Sequence, residues 1–232
     1  NLGFIYSNEQ YGKLDIEKAL SYLQLAADNN IAIALHTLGI IYSDGRYVER
    51  DVNKSIYYLQ KAADKNYARS QFELGWMYFT GEKIQINIEK AIKYFKLAAD
   101  QNYPDAQYNL GYIYSVDLYV HHDSIKAINY LTCAANQDFS PAQFNLGLIY
   151  YKGIIVPKNI EKAIYFMKLA ADKNNSVDAQ HFLYRFYASG VDVVPNYKIA
   201  LHYLTLASDQ GFSKAQYDLG FIYYEAKHVP RD

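Results

Sequence analysis

Leu-Gly pairs recur along this chain at a fixed interval. They place glycines at Gly3, Gly39, Gly75, Gly111 and Gly147, 36 residues apart each time. The column continues at Tyr184, 37 residues on, because one extra residue lies in "KNNSVD", and it returns at Gly220 after a further 36. A period held over seven positions predicts a stack of like supersecondary units. One such unit cannot bury its own apolar face, whereas neighbours stacked on it can.

The columns around the glycines read as two helices per unit. In the first, helix A, a tyrosine stands three residues after the column position: Tyr6, Tyr42, Tyr78, Tyr114, Tyr150, Tyr187 and Tyr223. Helix B follows as "DVNKSIYYLQKAAD", "NIEKAIKYFKLAAD" and their equivalents, with its own aromatic column at Tyr22, Tyr58, Tyr94, Tyr130, Phe166 and Tyr203. These two columns hold 12 of the 26 tyrosines, so the tyrosine excess is mostly repeat architecture.

Start and stop signals frame each helix B. Asp15, Asp51, Asn87, Asp123, Asn159 and Asn196 are N-cap residues, and Glu17, Glu89 and Glu161 suit the first turn. Asn30, Asn66, Asn102, Asp138, Asn174 (or Asn175) and Gly211 tolerate the left-handed conformation that ends a helix. An apolar residue follows most of them, which predicts a Schellman-type stop. Ser140 and Pro141 read as an N-cap and N1 pair for the next helix A. The A–B loops carry Gly45, Gly81, Gly153 and Gly190, then one apolar residue expected to tuck under the helix pair: Val48, Ile84, Val120, Val156, Val193 and Val229. The glycine column is expected to admit helix B closely, near the small column Ala19, Ser55, Ala91, Ala127, Ala163 and Ala200.

These columns, seen together in "AQFNLGLIYYKG" followed by "VPKNIEKAIYFMKLAAD", resemble the Sel1-like repeat (SLR) family, a relative of the tetratricopeptide repeat. The period of 36 favours it over tetratricopeptide repeats, which run at 34. The resemblance implies an all-α fold: a right-handed α/α superhelical solenoid of about six helix-turn-helix repeats over residues 1–232. The units run at about 1–30, 31–66, 67–102, 103–138, 139–175, 176–211 and a partial 212–232. The start within a helix A and the stop at "VPRD" predict an internal fragment of a longer array. Three features depart from the pattern. Tyr184 takes a glycine position, the fourth loop has Asp117 where glycine is usual, and the first has Glu9 and Gly12 out of pattern.

The resemblance also implies function by binding, as an adaptor or scaffold for proteins. Two variable columns are expected to line the concave helix-A face. One lies two residues before the glycine: Asn1, Thr37, Glu73, Asn109, Asn145, Phe182 and Asp218. The other lies one after it: Phe4, Ile40, Trp76, Tyr112, Leu148, Arg185 and Phe221. Glu73, Trp76, Asn109, Tyr112, Asn145, Leu148, Arg185, Asp218 and Phe221 are the candidate partner-binding residues. Aromatic and arginine side chains among them are the types enriched at binding hot spots. Some cysteine-rich relatives are linked to β-lactam binding or hydrolysis. They carry one disulfide per repeat, a feature absent here. A purely structural role, packing on a neighbouring domain, is the other alternative.

No catalytic constellation, cofactor site or metal site is legible. His121, His122 and Asp123 are the most metal-like cluster, but adjacent loop residues rarely converge on one ion, and Asp123 already serves as an N-cap. His36, His181, His202 and His228 are scattered over repeat positions and read as structural. A net charge of −1 gives no basis for a nucleic-acid partner, and no apolar run approaches the ~18 residues of a membrane span. The single cysteine, Cys133, excludes a disulfide within the chain and fits a reducing compartment. It is expected to be a small buried hydrophobe. Asn53 and Asn174 sit in N-glycosylation sequons, which matter only in a secretory setting.

Overall fold

The computed structural model describes residues 15–82, 84–121 and 123–225. Asn1, Gly3, Phe4, Tyr6, Glu9, Gly12, His122, His228 and Val229 lie outside them. Twelve α-helices and no strand are present among the described residues. The B helices are α1 (Ile16–Asp28), α3 (Val52–Asp64), α5 (Ile88–Ala99), α7 (Ser124–Ala135), α9 (Ile160–Lys168) and α11 (Tyr197–Asp209). The A helices are α2 (Ala32–Asp44), α4 (Ala68–Thr80), α6 (Pro104–Ser115), α8 (Ser140–Lys152), α10 (Val177–Ser189) and α12 (Ser213–Glu225). Within each unit helices pack on their chain neighbours, α2 on α3, α4 on α5, α8 on α9 and α10 on α11 among them, as expected for tandem helix-turn-helix repeats. Two compact units divide the chain, residues 1–110 and 111–232.

Every B helix opens on its expected cap. The side chains of Asp15, Asp51, Asn87, Asp123, Asn159 and Asn196 accept from the backbone N–H three residues on. The same cap residues close the A–B loops. The backbone N–H groups of Asp51, Asn87, Asp123, Asn159 and Asn196 donate to the carbonyls of Tyr42, Tyr78, Tyr114, Tyr150 and Tyr187, at 2.9–3.0 Å. That bond occupies a carbonyl that the A-helix C-terminus leaves without an intrahelical partner. The fourth loop keeps it although Asp117 replaces the usual glycine. The loop residues Val48, Ile84, Val120, Val156 and Val193 are partly covered, none fully.

The B-helix stops are Schellman motifs. Asn30, Asn66, Asn102, Asp138 and Gly211 all have positive φ. In the first repeat Asn30 N–H donates to Ala27 O at 2.8 Å and Ile31 N–H to Ala26 O at 3.1 Å, and later repeats copy the pair. One stop is longer. A π-helical turn over Leu169–Lys173 absorbs the extra residue, Asn175 rather than Asn174 takes the positive φ, and Ser176 N–H reaches back to Ala170 O. The insertion is therefore absorbed mainly inside the end of the helix, upstream of where the repeat alignment puts it. The expected Ser140–Pro141 pair is corrected by one position. Phe139 is the N-cap of α8, because the residue that closes the preceding Schellman motif also supplies the first carbonyl of the next helix.

Buried columns form the core. Leu38, Leu74, Leu110, Leu146 and Leu183 of the A helices and Leu59, Phe95, Leu131, Met167 and Leu204 of the B helices have essentially no exposed surface. The glycine column meets the second set. A Cβ placed on Gly39, Gly75, Gly111 or Gly147 would lie 2.7 Å from Leu59 Cγ, 2.7 Å from Phe95 Cδ1, 2.5 Å from Leu131 Cγ or 2.8 Å from Met167 Cε. The small column at Ala91, Ala127 and Ala163 is buried too, but the bulky column four residues later is what the glycines admit.

The tyrosine columns stack in pairs. Tyr42 on Tyr58, Tyr78 on Tyr94, Tyr114 on Tyr130 and Tyr150 on Phe166 lie with ring centroids 5.8–6.1 Å apart and planes within 7°. Lys54, Lys90, Lys126 and Lys162, each three residues after an N-cap, hold their ammonium 5.0–5.2 Å from the A-helix ring. The Tyr187–Tyr203 pair has Ile199 at the lysine position. There Tyr203 donates to Asp172 Oδ2 at 3.2 Å, and burial followed by that carboxylate raises its pKa well above the usual phenol value.

Cys133 is exposed, against the expectation of burial. In α7 the inward positions are Ala127, Leu131, Ala134 and Ala135, which leaves Cys133 on the outer face. Its column mates Leu25, Lys61 and Leu97 are exposed as well, and the lysine among them is the signal that sequence reading passed over.

Candidate functional site

The two candidate columns separate by depth. The column after the glycine is the outer one: Trp76, Tyr112, Arg185 and Phe221 are exposed and Leu148 is half-buried. The column before it lies deeper, with Glu73, Asn145 and Asp218 half-buried and Asn109 only 7% exposed. Asn109 donates its amide to Asp105 O at 2.8 Å, so that amide is committed to its own helix.

In unit one the outer column carries an aromatic surface on α4. Trp76 stacks on Phe72 at 6.3 Å and tilts against Phe79 at 6.1 Å. Phe72 continues to Phe95 and Tyr103, which anchors the indole to the core. Nearby, on α2, His36 has its Nδ1 3.0 Å from Ser70 Oγ and its ring against Tyr67. Burial, followed by the Arg69 charge, lowers its pKa to about 4, so this histidine is neutral at physiological pH.

In unit two the candidates line three clefts between successive A helices. Tyr112, Asn145 and Leu148 border a cleft of about 290 Å³ that Ile149, Lys152 and Ile154 also line. Tyr151, Phe182 and Arg185 border the next, of about 370 Å³. Its aromatic wall is tight, with Tyr151 edge-on to Phe182 at 5.2 Å and to Phe186 at 5.8 Å. Arg185 and Asp218 border the third, of about 690 Å³, beside Tyr184, Lys214 and Tyr217. There Asp218 Oδ2 lies 3.2 Å from His181 Nε2, whose ring also packs edge-on against Phe212. Phe221 stacks on Tyr217 at 6.5 Å on the exposed side of α12.

A second set of polar residues, missed by sequence reading, holds the A helices in place. Gln71, Gln107, Gln143 and Gln180 are almost wholly buried. Each donates Nε2 to a carbonyl at the end of the preceding B helix: Ala63, Ala99, Ala135 and Ala171, at 3.0–3.3 Å. Gln71, Gln143 and Gln180 accept in turn from Gln101, Asn174 and Gln210 of the following B helix, at 2.6–2.8 Å. Their spacing, four residues before the column position, made them legible as a column. Glutamine is mostly an exposed residue type, so type alone does not mark this column as buried.

His181 with Asp218 is the titratable pair of the third cleft. Among the described residues no group of three or more His, Cys, Asp or Glu is placed to hold a metal ion. His121 lies 3.6 Å from Asp117 on an exposed loop. No helix among the described residues is long and apolar enough to cross a membrane.

The repeat geometry is matched by known proteins. The Sel1 repeat family model matches residues 1–31, 32–67, 68–103, 104–139, 140–175, 177–212 and 213–232. Comparison with curated proteins finds no match. Among solved structures, c5321, a protective antigen of uropathogenic Escherichia coli with an SLR fold, is similar over 98% of this chain at 25% identity and a TM-score of 0.85. This chain spans 48% of that protein's length. A Sel1 repeat protein from Oxalobacter formigenes is similar over 90% of this chain and 85% of its own, at 30% identity and a TM-score of 0.78. The immunity protein Pa5087 from Pseudomonas aeruginosa, at 24% identity over 83% of this chain and 73% of its own with a TM-score of 0.53, shares the fold.

Proposed function

Because this chain belongs to the Sel1 repeat family, we propose that it is an interaction scaffold holding a peptide or protein partner on the face of its A helices. Sel1 repeat proteins commonly serve as protein-interaction scaffolds, and the fold is generally non-catalytic. The observation that carries the proposal is the split between columns. The packing columns are buried and stay apolar, with leucine throughout the A-helix column, whereas the residues beside the glycines vary in charge and polarity, and in unit two most of them line a cleft between successive A helices. A constant scaffold with variable cleft residues lets a repeat protein set specificity without disturbing its core. Trp76 is the equivalent anchor of unit one: a large amphipathic ring, partly exposed and fixed by its neighbours.

Selection of a random-peptide phage library on the immobilised chain tests this. Recovered peptides should lose affinity for Trp76→Ala, Tyr112→Ala or Arg185→Ala variants whose helicity is unchanged. Peptides that bind all three variants at wild-type affinity would place the partner site elsewhere.

A further inference from the structure

The clefts of unit two carry a charge pattern that narrows the partner. Lys152 lines the first cleft, Arg185 the second, and Arg185 with Lys214 the third. Among the described residues none of these three cations has an ion-pair partner, and the one acid in the linings, Asp218, faces His181. Three lysines elsewhere on the same unit do find carboxylates: Lys126 with Asp123, Lys158 with Asp192 and Lys173 with Asp138. Between the cations the linings mix apolar and aromatic side chains, Leu148, Ile154 and Phe182 among them, with the neutral polar residues Ser115, Asn145 and Ser189.

We propose that this row of clefts takes an extended partner segment in which an acidic and an apolar side chain recur about every three residues. The spacing follows from geometry. Adjacent helix axes lie about 10 Å apart, and an extended chain in the polyproline II conformation advances about 3.1 Å per residue with three residues per turn, so one three-residue period spans about one cleft and brings each acidic side chain back to the same face. The apolar side chain fills the cleft, and the carboxylate meets the cation beside it. Partly exposed pairs of this kind contribute modestly to affinity and more to selection among partners. This inference rests on the A-helix face being the partner site.

Fluorescence anisotropy on the full chain tests it, with labelled acetyl-(Glu-Leu-Ser)4-amide as the probe. Two counterparts replace Glu by Gln or Leu by Ser. The Glu-Leu peptide should bind about tenfold more tightly than the Gln peptide, and that margin should shrink as salt rises. The combined variant Lys152→Glu, Arg185→Glu and Lys214→Glu, checked for unchanged helicity, should abolish the margin and favour a Lys-Leu-Ser peptide instead. Equal binding of the Glu and Gln peptides, both lost in Leu148→Asp, would overturn the acidic preference while leaving the face as a peptide site. Binding of every peptide unaffected by Leu148→Asp and by charge reversal would overturn both readings. Tighter binding of a 12-nucleotide uridine oligomer than of any peptide would also overturn the inference, as would no binding by any peptide at its solubility limit.

Discussion

At the α4–α5 pair the A helix presents Gly75 to the ring of Phe95. At α10–α11 the equivalent position holds Tyr184, which packs beside Leu204, Ala207 and Ala215. Gly75 lies within a helix and its backbone needs no left-handed φ, so steric room is what the position demands. A Cβ there would overlap Phe95, whereas Tyr184 carries a whole ring while Leu204 stays buried. The two regions differ in more than that residue. The B helix before Tyr184 ends in a π turn, and the most spacious of the three clefts lies beside its ring. The repeat therefore tolerates a lost glycine where the surrounding helices also depart from the pattern. The glycine is a packing device of the regular rungs rather than a condition for the fold.

Substitutions can break this comparison, the largest effect first. Gly111→Leu should destabilise the chain by about 3 kcal/mol through overpacking, because the added atoms meet both Leu131 Cγ and the Leu131 backbone nitrogen at 3.1 Å. Gly147→Leu should cost less, since the atoms it meets belong to flexible Met167. Denaturant midpoints rank the two, and equal values would show that the facing residue is irrelevant.

Tyr184→Gly restores the repeat consensus and should nonetheless destabilise, by about 2 kcal/mol, through a helical glycine and lost ring burial. A more stable variant would show that Tyr184 is merely tolerated. Gln143→Leu and Gln180→Leu sit on opposite sides of the irregular turn, and each strands a buried carbonyl at a cost of about 2 kcal/mol. Similar losses in thermal unfolding would show that the glutamine column spans regular and irregular rungs alike. The smallest effect runs the other way. Ser55 stands in the alanine column with a buried hydroxyl that has no hydrogen-bond partner, so Ser55→Ala should raise stability by about 1 kcal/mol.

Much of the fold was legible because its signals are local. An N-cap such as Asn159 needs only its own side chain and the N–H three residues on, and a Schellman stop at Asn102 needs only one turn of helix. Such features survive in any tertiary setting and recur every 36 residues. The candidate site was legible as columns but not as depth. Asn109 and Trp76 stand three residues apart in the repeat frame, yet one is nearly covered and the other exposed.

Repetition and local chemistry thus specify the helices, their ends and their order from the amino acids alone. Three matters waited on packing: that Gly147 faces Met167 instead of the small column, that Gln143 joins two B helices, and that Cys133 points outward. Each depends on how one helix is rotated and crossed against another. That rotation is set by many weak side-chain contacts between residues far apart in sequence, and no single stretch of the chain contains it.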